Sequence, residues 1–117
     1  MGLNGNYVTG YDVCKPSLEF AESRKKWHRI GDVDFTDKLP DLKEFDFIVA
    51  IDVLEHIKDL RELLLKFGKE MKIGSQLYHC DSFNDLRATH FDHSKEVDAW
   101  FQEAGLRKTS EGWAIKE

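Results

Sequence analysis

The chain has 117 residues, 41% of them hydrophobic and 33% charged, with a net charge of −5. Such a chain fits one soluble globular domain spanning residues 1–117, and its composition excludes a disordered tail. The acidic balance offers no basic face for nucleic acid: beyond Arg24-Lys25-Lys26, no stretch of five or six residues is predominantly basic. That trio suits a helix C-terminus, where cations offset the macrodipole. No apolar run approaches the ~18 residues that cross a bilayer, and no signal pattern opens the chain, so no membrane is expected as a partner. Cys14 and Cys80 form no CxxC pair and read as ordinary thiols of a cytoplasmic protein.

In chain order, Met1 to Asn6 (MGLNGN) reads as a loop, and Tyr7–Tyr11 (YVTGY) as a short strand ending at Asp12. Lys15-Pro16-Ser17 opens a helix whose apolar contacts would come from Leu18, Phe20, Ala21 and Trp27. Trp27–Ile30 reads as a second strand, closed by Gly31-Asp32, and Asp34 to Leu42 as a loop. Phe45–Ile51 is the clearest strand; its unbroken apolar run implies burial on both faces. The acidic turn Asp52-Val53-Leu54-Glu55-His56 then opens an amphipathic helix, with an apolar stripe from Leu54 to Met71 and a glycine stop at Gly74. Gln76–Cys80 is a strand and Asp81 to Thr89 a polar loop. Ser94 is expected to cap a last helix that ends at Gly105, with Trp100 and Phe101 in the core. One or two strands around Gly112 finish the chain. Alternation of this kind predicts an α/β fold, a mostly parallel sheet with helices on its faces.

Five segments in register carry a resemblance: V-T-G-Y-D, I-G-D-V, F-D-F-I-V-A-I-D-V-L-E-H-I-K-D, M-K-I-G-S-Q-L and H-F-D-H-S-K-E-V-D-A-W-F-Q-E-A-G-L. The chain resembles class I S-adenosylmethionine-dependent methyltransferases, a Rossmann-like fold, from their second strand to their last. The resemblance implies a small-molecule methyl donor as cofactor. It gives Asp12 to the donor's ribose hydroxyls, since a carboxylate can accept from two at once; from the residues alone, Asp12 reads equally as a cap for the Pro16 helix. It gives Asp32 to the adenine amino group, with the Val33 N–H nearby, although Gly31-Asp32 also reads as a plain turn. Ile51 and Asp52 would line the donor and acceptor pocket, because ligands of open α/β sheets sit at the carboxyl ends of strands. Tyr78, His79 and Asp81 fall near the next strand end.

The family's first strand and its D-x-G-x-G-x-G turn have no counterpart in the chain. Gly2 and Gly5 lack the strand before and the helix after that would make a binding turn. The unmatched strand is the central one of the usual sheet, so a homodimer or a partner chain is expected to fill its place.

Asp52, Glu55 and His56 stand at i, i+3 and i+4, one side of a helix, and His90, Asp92 and His93 follow later. This pattern is similar to the E-x-x-E-H and H-x-D-H elements of metal-dependent small-RNA 2′-O-methyltransferases, yet the same E-H pair occurs in members without metal. The expectation is therefore no metal, with Asp52, Glu55, His56 and His93 as the set that would hold one. Without it, His56 or His93 would serve as general base. The expected activity is methyl transfer to an acceptor of unknown class. The alternatives are a non-catalytic methyltransferase-like interaction subunit and a metal-dependent 2′-O-methyltransferase-like protein.

Overall fold

The computed structural model describes residues 6–81, 83 and 91–117. The loop reading of Met1–Asn6, apart from Asn6, lies outside the described residues, as do His90 and most of the Asp81–Thr89 loop. The chain divides into two compact units, Met1–Pro40 and Asp41–Glu117, each described by itself.

The first unit is a β-α-β hook. Strand β1 (Val8–Tyr11) pairs in parallel with β2 (Val33–Thr36), Val8 opposite Val33 and Tyr11 opposite Thr36, and helix α1 (Lys15–Trp27) connects them. Pro16 sits in the first turn, where no N–H is needed, and Arg24, Lys25 and Lys26 fill the last turn. Tyr7 donates its hydroxyl to the Asp34 carboxylate.

Two expectations fail here. The second strand is Val33–Thr36, not Trp27–Ile30, because the helix runs on to Trp27, is closed by the His28 N–H on the Arg24 carbonyl, and exits through Arg29 in a left-handed conformation (φ 53°). The alternation Val-Asp-Phe-Thr was the better strand signal, with Val33 and Phe35 half-buried around exposed Asp34. Helix α1 also buries none of its residues: Phe20 and Trp27 are exposed.

The second unit is a four-stranded sheet in the order β3-β4-β6-β5. Strand β3 (Phe47–Ile51) pairs in parallel with β4 (Gln76–Cys80), Phe47 opposite Gln76 and Ile51 opposite Cys80. Strands β5 (Leu106–Ser110) and β6 (Trp113–Lys116) form a hairpin turned at Gly112 (φ 79°), and β6 is antiparallel to β4.

Helices α2 (Leu60–Glu70) and α3 (Val97–Glu103) supply the core. Leu60, Leu64 and Phe67 of α2 and Val97 and Phe101 of α3 are buried, with Leu77, Leu106 and Ala114 from the sheet. Leu54 is also fully buried. The helices approach closely at Gly68, where an added Cβ would lie 1.9 Å from the Ala104 carbonyl oxygen. Trp100 is half-buried and Phe101 1% exposed, which places the α3 aromatics much as their spacing suggested.

Three expectations are corrected in this unit. Strand β3 is not buried on both faces: Phe47, Val49 and Ile51 are exposed while Ala50 is buried. The strand sits at the edge of the sheet, and the buried residues of neighbouring strands all belong to one face. The turn after it does not open the helix directly. Leu54–His56 is a short 3₁₀ turn and α2 starts at Leu60, so Asp52, Glu55 and His56 do not share one face of an α-helix. Ser94 is not the cap of α3, whose first flanking residue is Glu96. Ser94 instead closes a local turn, donating its N–H and hydroxyl to Asp92 Oδ1.

Candidate functional site

The carboxyl end of the β3–β4 pair gathers the polar groups of the second unit. The two strands end level, and the Asp52 N–H donates to the Cys80 carbonyl at 2.8 Å. Asp52 then turns left-handed (φ 53°), a conformation that Asp tolerates and branched residues do not. Such outliers cluster at functional sites, where surrounding structure holds them. Replacing Asp52 by valine is therefore expected to cost about 1–2 kcal/mol in urea unfolding, whereas Asp52→Gly keeps the turn.

Beyond that turn the side chains separate. Asp52 and His56 are exposed, and Glu55 is 1% exposed. His93 is buried and donates Nε2–H to the Ile57 carbonyl at 2.8 Å, among the rings of Phe83, Phe91 and Trp100. That bond ties the segment before α3 to the turn after β3, and it leaves Nδ1 as the ring's acceptor nitrogen. The segment is held a second time by the Phe91 N–H on the Glu55 carbonyl. Next to it, the two bonds from Ser94 hold the Asp92 carboxyl below the usual carboxylate range. Among the described residues, no group of three His, Cys, Asp or Glu side chains is arranged to hold a metal ion, and Asp52, Glu55, His56 and His93 are not drawn together.

One pair here was passed over as a functional unit in the sequence. His79, the buried fourth residue of β4, bonds through Nδ1 to the carboxylate of Asp81, and its ring stacks on Phe101 at 4.8 Å. Alternate residues of an extended chain point the same way, so H-x-D at a strand end was the available signal. Three buried atoms have no hydrogen-bond partner among the described residues: His79 Nε2, Asp81 Oδ1 and Glu55 Oε2. The paired, buried side chains of His79 and Asp81 thus place two titratable groups at this strand end.

In the first unit, Asp12 follows β1 at its carboxyl end and is exposed; its Oδ1 accepts the Cys14 N–H at 2.9 Å. Asp12 does not cap α1, whose N-cap is Cys14 with no side-chain cap bond; it closes a local turn before the helix, using one of its two carboxylate oxygens. Asp32 and Val33 stand at the opening of β2 and not after a strand, with the Asp32 carbonyl accepting from Val8 N–H at 3.0 Å. By strand polarity, Thr36 and Asp37 hold the carboxyl end of β2. Ile51, the last residue of β3, is 53% exposed.

A family model described as a methyltransferase domain matches residues 2–113. The ubiquinone biosynthesis O-methyltransferase of Coxiella burnetii is 22% identical over 135 residues, covering 92% of this chain and 57% of that protein. The chain thus spans little more than half the length of the curated relatives it matches. Among solved structures, the O-methyltransferase of a trans-AT PKS multienzyme of Brevibacillus brevis, in complex with S-adenosyl-L-homocysteine, is similar with a TM-score of 0.73 and 18% identity. That match covers 89% of this chain and 39% of that one. The [4+2]-cyclase SpnF is similar with a TM-score of 0.76 and 16% identity, over 92% of this chain and 45% of that one. At such identities the structures speak for the α/β fold alone, and the family match over residues 2–113 decides the rest: this chain belongs to the methyltransferase-domain family.

Proposed function

We propose that this chain carries S-adenosylmethionine-dependent methyl transfer, with an acceptor oxygen as the target favoured by its O-methyltransferase relatives. The observation that supports it best is the β3–β4 strand end, where a left-handed Asp52 and the buried His79–Asp81 pair stand at the place ligands take in open α/β sheets. In this reading Asp12 offers its remaining oxygen to ribose hydroxyls, and Asp32 and Val33 give way to Asp37 near the adenine. Ile51 and Asp52 flank the reacting methyl. His56 or His93 takes the acceptor's proton. The work is mostly positioning of donor and acceptor for direct displacement.

The reading includes a protein partner. The outer edge of β3 pairs with no strand among the described residues, and a second copy or another chain would complete the sheet there. Sedimentation of a clean monomer at tens of micromolar would count against the second copy. No helix among the described residues is long and apolar enough to cross a membrane, and the exposed free thiols Cys14 and Cys80 suit a reducing compartment such as the cytoplasm.

Thermal unfolding with S-adenosyl-L-homocysteine tests the donor site. A ligand at a hundred times its Kd stabilises by about 2.7 kcal/mol; no upward shift at millimolar ligand would contradict the proposal. The exposed apolar residues of β3 favour a second reading, a methyltransferase-like interaction subunit. That reading gains if the chain binds a partner but not the donor.

A further inference from the structure

We draw no further inference here: the strongest candidate, the buried His79–Asp81 side-chain pair at the carboxyl end of β4, belongs to the site already described.

Discussion

Replacing Phe101 by alanine is expected to destabilise the second unit by about 3–5 kcal/mol, the largest loss foreseen for any single side chain here. Phe101 is 1% exposed, stacks on the His79 ring at 4.8 Å, and lies under the Lys108 ammonium at 5.7 Å. Its removal opens a cavity between α3 and β4 beside the buried His79–Asp81 pair, so transfer and cavity costs add. Phe20→Ala is the control: that ring is 65% exposed on α1, and a change within about 0.5 kcal/mol is expected. Urea unfolding of both variants measures the difference. A cost below about 1 kcal/mol for Phe101→Ala would mean that α3 does not close the core as described.

The second large effect concerns the donor. Asp12→Asn keeps an oxygen to accept the Cys14 N–H, so the turn into α1 and the melting temperature should be unchanged. What it loses is the charge. Hydrogen bonds to charged groups contribute about 1.5–3 kcal/mol each, so affinity for S-adenosyl-L-homocysteine should fall by roughly 10- to 100-fold. An unchanged Kd, with the protein folded, would remove Asp12 from the donor site and leave it only its role in the turn.

The sequence made the strong elements legible because their patterns are local. Gln76–Cys80 is a strand with the bounds its residues suggested, the Gly112 hairpin follows from one glycine at positive φ, and Pro16 marks the start of α1. The second strand was misplaced because Trp-His-Arg-Ile and Val-Asp-Phe-Thr are both short and β-prone, and helix continuation through Trp27 decided between them. The burial of β3 was overstated for a different reason. An apolar run reports the environment a strand is suited to, and the helices of the second unit cover only one face of it.

Site chemistry was legible in part. Asp12 and Asp52 were recognisable as strand-end acids, and both follow a strand at its carboxyl end. The grouping of Asp52, Glu55 and His56 on one helical face rested on a helix that starts only at Leu60. No periodicity could show the His93 Nε2–H bonded to the Ile57 carbonyl, 36 residues away in the chain. His79 and Asp81 were noted only by position, since burial and pairing are tertiary facts.

Calorimetric titration of the chain with S-adenosylmethionine, and with its demethylated product, addresses the central claim most directly. The account predicts saturable binding of both ligands at one site per complete assembly, weakened by Asp12→Asn. Absence of heat and of thermal stabilisation with both ligands, on folded protein, would contradict it.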